Sequence, residues 1–310
     1  MLTDYHLHLR PDGHDADVAE YHTPANVERY RAAADERGIA ELGVSEHVYR
    51  FAQALEVWRH PFWETYAHDD LDAYCAFVRE HTDLRLGIEA DFVPGAEDRM
   101  ASLLDARDFD YVVGSVHFMR GGAVDMDDYS VWDGGGSVEE IWMRYFQTIG
   151  EAARSGLFDI AAHPDLVKYW SPPTRPHRPP TSARAGRRPE GDLRRYYEPA
   201  VEGIAAAGIA VEVSTAGLRK PAGEIYPARA FLEMCVDAGV PVALSSDAHR
   251  PEDVGADYDR ALELLASVGV SELCVFERRE RRLEPIGAAG SQDAAAAGSR
   301  GAAPGEVEPR

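Results

Sequence analysis

Seven short apolar runs alternate with helical segments along this chain, and that alternation restricts it to α/β folds built on a parallel sheet. The runs are residues 2–7, 39–44, 84–88, 111–116, 158–162, 209–213 and 241–245. Pro24 and Asn26 open a helix that Gly38 closes. Further helices are expected across residues 71–81, 96–106, 137–154, 193–207, 227–238 and 256–268. Without a Gly-rich dinucleotide fingerprint, seven such units favour a closed, TIM-like barrel over a doubly wound sheet. The aromatic-rich stretch 48–70 reads as a connection, and Leu273-Cys274-Val275-Phe276 as a last apolar stretch that completes the fold.

Two segments break the pattern. Residues 171–192 are rich in proline and carry Arg175, Arg178, Arg184, Arg187 and Arg188, with no aliphatic side chain larger than alanine before Leu193; they read as an irregular surface insertion. Residues 286–310 are rich in Ala, Gly, Ser and Pro and read as a disordered tail. The expected organisation is one catalytic barrel over residues 1–285, with the insertion inside it and the tail after it.

The chain's 310 residues are 45% hydrophobic, which supplies a sizeable core, and a single α/β barrel has about 250 residues. Thirty-two basic against 54 acidic residues give a net charge of −22. That balance repels a nucleic-acid backbone and suits cationic small molecules and metal ions. Cys75, Cys235 and Cys274 lie far apart and read as reduced thiols. The start shows neither a basic segment nor an apolar one of the secretory kind, and no apolar run approaches the roughly 18–20 residues of a spanning helix. A cytoplasmic protein is expected.

The ends of the apolar runs carry the chemistry. The first ends in His6-Leu7-His8, with His14 close behind; the second ends at His47, the third at Glu89, the fourth at His117, the fifth at His163, and the seventh at Asp247 and His249. Singly, each has an ordinary explanation: a hydrogen-bonded core histidine, a solvated acid or a helix cap. In a parallel barrel, however, all the strand ends meet at one rim. Seven of the 12 histidines and two carboxylates would then converge there. His22, His60, His68, His81 and His177 fall in helices or loops and read as ordinary. Nitrogen and carboxylate donors without cysteine suit Zn²⁺, Mn²⁺ or Fe²⁺. Nine donors suit two or three divalent ions, and closely spaced ions acidify a water between them and clamp both oxygens of an in-line displacement.

Together these residues resemble the polymerase and histidinol phosphatase (PHP) metallohydrolases. The resemblance rests on His6-Leu7-His8 with His14, Ser45-Glu46-His47, Gly87-Ile88-Glu89, Gly114-Ser115-Val116-His117-Phe118, Ala162-His163-Pro164 and Ser245-Ser246-Asp247-Ala248-His249. It implies a distorted (β/α)7 barrel. It also implies one ion held by His6, His8, Glu89 and Asp247, a second by Glu89 as bridge with His117 and His163, and a third by His14, His47 and His249. The segment Val211-Glu212-Val213-Ser214-Thr215-Ala216-Gly217-Leu218-Arg219-Lys220-Pro221 is similar to the histidinol-phosphatase branch.

The resemblance implies hydrolysis of L-histidinol phosphate, a small phosphomonoester. Arg219 and Lys168 are the cations expected against the phosphate oxygens, and Asp247 is expected both to ligate and to relay a proton. Glu46 and Asp91 are candidates either for the substrate's amine or for orienting ligand histidines. The alternative is a PHP phosphoesterase acting on nucleotides or nucleic-acid ends, with the arginines of the insertion as its foothold.

Overall fold

The computed structural model describes residues 1–13, 15–171 and 186–287. In chain order the strands are β1 (Thr3–Asp4), β2 (Glu41–Val44), β3 (Arg85–Asp91), β4 (Tyr111–Ser115), β5 (Phe118–Met119), β6 (Gly122–Ala123), β7 (Ile160–Ala161), β8 (Ala210–Ser214), β9 (Val242–Ser245), β10 (Glu272–Glu277) and β11 (Glu280–Pro285). The helices are α1 (Val18–Tyr21), α2 (Pro24–Glu36), α3 (Pro61–Tyr66), α4 (Leu71–His81), α5 (Glu97–Asp105), α6 (Val138–Arg154), α7 (Arg194–Ala207), α8 (Arg229–Asp237) and α9 (Tyr258–Ser267).

Seven strands form one sheet in the order β1-β2-β3-β4-β7-β8-β9, and every pair in it is parallel. A (β/α)7 barrel is therefore the observed architecture. Local sequence explains the helix starts. The Thr23 hydroxyl accepts from the Asn26 N–H with Pro24 in the first turn, Asp70 caps α4 through Ala73 N at 2.8 Å, and Ser137 with Glu140 forms a capping box on α6.

The seam between β1 and β9 is closed by a side chain rather than by a ladder. The Asp4 carboxylate accepts from Ser246 N at 3.0 Å, from the Ser246 hydroxyl and from Gly255 N at 3.3 Å. Burial pushes the Asp4 pKa up to about 6, against the pull of those donors. At the rim, His8 N donates to Ala248 O at 2.7 Å, and Leu7 bridges Ala248 in parallel register. The first run therefore ladders over two residues only, shorter than the run 2–7 suggests.

The barrel's amino end is plugged by aromatic rings. Tyr111 lies over Gly43 and Gly87, where a Cβ would come within 2.4 and 2.2 Å of its ring or hydroxyl. Both positions must be glycine for the ring to enter the barrel. Tyr5 packs 5.0 Å from Tyr111 and 5.7 Å from Phe276, centroid to centroid. Phe276 belongs to β10, which pairs with β11 in an antiparallel hairpin instead of joining the barrel. The last apolar stretch is thus a lid on the closed end. The β5–β6 hairpin after His117 is a second element the sequence did not announce.

Most of the insertion and the tail, residues 172–185 and 288–310, and His14 lie outside the described residues. Among the described residues no helix is long and apolar enough to cross a membrane.

Candidate metal centre

Each nominated donor among the described residues stands in the carboxyl half of a barrel strand or in the few residues after it, Glu89 being inside β3. Because those ends share a rim, residues more than 200 positions apart meet. Glu89 is the centre. Its Oε1 lies 3.1 Å from His163 Nε2 and 3.4 Å from His117 Nε2. Its Oε2 lies 3.3 Å from His6 Nε2 and 3.6 Å from His8 Nε2, and in contact with His47 Nδ1. Asp247 Oδ1 lies 3.5 Å from His8 Nε2, 3.8 Å from His6 Nε2 and 3.6 Å from His249 Nδ1. His249 Nε2 reaches to 3.5 Å from His47 Nε2. Asp247 and His163 hold positive φ values, 50° and 22°, an uncommon backbone state for residues with a side chain.

Apart from His163 with Glu89 and His249 with His47, these side chains crowd together without hydrogen-bonding to one another. His6 Nε2, both nitrogens of His8, His47 Nδ1, His163 Nδ1 and Glu89 Oε2 are buried and lack a hydrogen-bond partner. Orphaned polar atoms in a protein interior cost about 1–3 kcal/mol each, so a cluster of them calls for a cation. Three sets of donors converge closely enough to share an ion: His6, His8 and Asp247; His6, Glu89 and His163; and His8, His47 and His249. The donor chemistry fits divalent ions of the Zn²⁺, Mn²⁺ or Fe²⁺ kind.

The electrostatics agree. Burial opposes charge on Glu89 and Asp247, yet the surrounding histidines hold both carboxyls well below the usual range. Burial likewise opposes protonation of His6, but Glu212, Glu89 and Asp247 raise its pKa well above the ordinary imidazole value. His117 is raised to about 10, with Asp91 and Glu89 overcoming burial. Without metal, protons on His6 and His117 offset part of the buried carboxylate charge.

A second set of residues aims the first. Glu212 on β8 accepts from His6 Nδ1 at 2.8 Å, from the Ser245 hydroxyl at 2.6 Å and from the His163 backbone N–H. Asp91 accepts from His117 Nδ1 at 2.9 Å. Glu46 accepts from Leu9 N at 2.9 Å and Arg50 Nη1 at 2.7 Å, and stands 3.7 Å from His8 Nδ1. Of the two roles expected for Asp91, the geometry supplies the orienting one, while Glu46 is held by Arg50 and Leu9 and comes no nearer to His8 than 3.7 Å. The sixth run offered no ligand at its end, and its function lies inside the strand at Glu212; an acid between two buried valines was the available signal. His22, read as ordinary, approaches Glu46 at 3.6 Å. Asp12 was missed: its Oδ1 is 2.9 Å from His249 Nε2, 3.4 Å from His47 Nε2 and 3.0 Å from Arg50 Nη2. Of the expected His14, His47 and His249 group, His47 and His249 converge, with one His47 nitrogen facing Glu89 and the other Asp12 and His249, while His14 lies outside the described residues.

The expected phosphate cations need correction. Lys168 is buried, so its ammonium must be paired internally, and it is: 2.8 Å from Asp165, 3.5 Å from Glu224 and 2.7 Å from Ile225 O. Arg219 donates to Ser246 O at 2.6 Å and faces Asp253 at 3.5 Å, behind β9. Neither lines the cavity of about 530 Å³ that opens over the cluster. Lys220 does, beside Asp125, Asp247, Tyr169 and Tyr226. Adjacent residues leaving a turn point apart, so the same sequence segment places Arg219 away from the cavity and Lys220 in its lining. Burial opposes the Lys220 charge, but Asp247 and Asp12 raise its pKa above the ordinary lysine value. Of the insertion's arginines, Arg187 lies over the Trp132 ring at 5.7 Å and Arg188 pairs with Glu224 at 3.1 Å; Arg175, Arg178 and Arg184 are outside the described residues.

Comparison with known proteins places this geometry. The PHP domain family model matches residues 16–216. The chain is 31% identical over 295 residues to a probable histidinol-phosphatase of Deinococcus radiodurans, covering 92% of this chain and 99% of that protein. It is 25% identical over 218 residues to the histidinol-phosphatase of Bacillus subtilis, covering 64% and 75%. The fold is similar to that of histidinol phosphate phosphatase from Lactococcus lactis, solved with zinc, L-histidinol and phosphate, with a TM-score of 0.64 at 17% identity over 91% of this chain and 98% of that one. The matched span omits His6, His8, Asp247 and His249, yet the closed seam carries these four into the same cluster. The chain belongs to the PHP domain family, in its histidinol-phosphatase branch.

Proposed function

We propose that this chain is a metal-dependent phosphomonoesterase that hydrolyses L-histidinol phosphate to L-histidinol and phosphate. The observation that carries the reading is the match, end to end, to a probable histidinol-phosphatase at 31% identity. The orphaned donors at the rim support it, because a phosphatase of this kind needs fixed divalent charge where they converge.

His6, His8, His47, Glu89, His117, His163, Asp247 and His249 are the residues proposed to hold two or three divalent ions, with His14 as a ninth. Bound ions would supply Lewis-acid charge to phosphate oxygens and acidify water at neutral pH. The chain's own part is positional. Glu212 and Asp91 hold the His6 and His117 imidazoles in one orientation and tautomer. Lys220 presents a charged ammonium in the cavity for a phosphate oxygen. Asp247, kept ionised by its histidine neighbours, is the group placed to hold a proton near the leaving oxygen. Burial of the cluster beneath Tyr49, Tyr66 and Tyr169 limits competing water.

Phosphate release from a panel of monoesters in Mn²⁺ or Zn²⁺ tests this. Histidinol phosphate should exceed nucleotides and p-nitrophenyl phosphate in kcat/KM by at least about a hundredfold. Equal rates across the panel would overturn the substrate assignment.

A further inference from the structure

The cavity over the cluster has to recognise more than phosphate, and one carboxylate in it has a buried oxygen with no partner. Asp125 lines the cavity, and its Oδ1 is buried without a hydrogen-bond partner. The other acids nearby are committed. Glu46 serves Arg50 and Leu9, Asp91 serves His117, Asp12 serves His249 and Arg50, and Asp247 sits among the imidazoles. Asp127 and Asp128 are exposed at the cavity's edge.

The backbone beside Asp125 is held with unusual care. The carbonyl of Val124 accepts from two buried indoles, Trp132 Nε1 at 3.1 Å and Trp170 Nε1 at 3.1 Å, which come from different parts of the chain. Val124 N donates to His117 O at 2.9 Å, tying the same residue to the metal rim. Two donors on one carbonyl and a donor on the other side fix where the next side chain starts. A carboxylate fixed this way, with a desolvated and unpaired oxygen, is complementary to a cation that arrives with the ligand. Among the described residues, Lys220 is the one lysine or arginine lining this cavity, and it leaves Asp125 Oδ1 unbonded. An anion for one and a cation for the other describe a zwitterionic ligand.

We propose that Asp125 is the specificity residue that receives the ammonium of the substrate amino alcohol, with Trp132 and Trp170 positioning it through Val124 O. This rests on the histidinol phosphate reading above.

The test compares L-histidinol phosphate with its des-amino analogue, imidazolylpropyl phosphate, on wild type and on Asp125→Asn and Asp125→Ala. In wild type the amine-bearing substrate should be favoured. In both variants the ratio of the two kcat/KM values should fall by at least about tenfold, the loss of one charge-assisted hydrogen bond, and mostly through KM for the amine-bearing substrate. Inhibition by L-histidinol against imidazolylpropanol gives the same ratio without turnover, so a variant with impaired chemistry still reports. Equal losses on both substrates, with an unchanged inhibitor ratio, would make Asp125 a structural residue and overturn the proposal. An amine preference kept in the variants would overturn it as well, while leaving the substrate assignment intact. A wild type with no preference for the amine would overturn the assignment and the proposal together.

Discussion

At the amino end of the barrel Asp110 and Asp159 are sunk beneath the β10–β11 hairpin with all four of their oxygens satisfied. Asp110 accepts from Leu86 N at 2.9 Å, Arg79 Nη1 at 2.7 Å and Arg278 N at 3.1 Å. Asp159 accepts from Val112 N at 2.8 Å and from Arg279 at 2.9 and 3.3 Å. At the carboxyl end six buried donor atoms of His6, His8, His47, His163 and Glu89 have no partner. Both ends hold carboxylates in or beside barrel strands, Asp110 and Asp159 just before β4 and β7, Glu89 within β3 and Asp247 just after β9. One end is completed by arginines and backbone N–H groups, and the other is complementary to cations the chain does not contain. Polar burial alone therefore does not mark a site here, and neither does a lone unsatisfied atom such as the Tyr111 hydroxyl; a cluster of unsatisfied nitrogen and carboxylate donors does.

The largest effect should come from the hub of the unsatisfied end. Glu89→Ala should lower phosphate release by at least about a thousandfold, strip bound metal and leave the fold intact. Metal analysis, circular dichroism and turnover on one preparation check this, and a variant that keeps its metal and its rate would break the contrast between the two ends. One layer out, Asp91→Asn and Glu212→Gln should each weaken metal binding about 10–100-fold, as read by competition with a chelator, because they release His117 and His6 from their fixed orientation.

Protonation sharpens the comparison further. His6 and His117 have raised pKa values in the metal-free protein, so both are protonated at neutral pH and each metal must displace those protons. Lower pH favours the proton. Metal affinity should therefore fall as pH falls from 8 to 6, by up to about tenfold per unit for each proton displaced. Calorimetry in buffers of different ionisation enthalpy should show proton release on binding; proton uptake would contradict the charge balance described for the cluster. The smallest effect belongs to the satisfied end. Arg279→Ala should cost about 1 kcal/mol of stability by denaturant titration, since the pair is partly exposed, and should change neither metal content nor KM.

Much of this was legible in the sequence. Runs of apolar residues that pack on both faces have a strong period-independent signal, and the polar residue that ends each run stands out against it. That is why the seven strands and the rim histidines were readable. The closing hairpin was not, because Glu280–Pro285 of β11 is mostly exposed and carries no apolar run to mark a strand. Lys168 and Arg219 were named as phosphate cations because a sequence shows charge but not direction. Only packing reveals that Asp165 and Ser246 O take them and that Lys220 is left facing the cavity. Glu212 and Asp12 escaped for a related reason: an orienting residue is defined by what it touches, and its partners lie 206 and 237 positions away.

The central claim is that the unsatisfied end of the barrel holds catalytic divalent ions. It is tested most directly by measuring metal content and histidinol phosphate hydrolysis on the same samples, before chelation, after it and after readdition of Mn²⁺ or Zn²⁺. The account predicts at least two ions per chain, loss of turnover in step with loss of metal, and recovery of both together. A metal-free sample that hydrolyses histidinol phosphate at the full rate would contradict it.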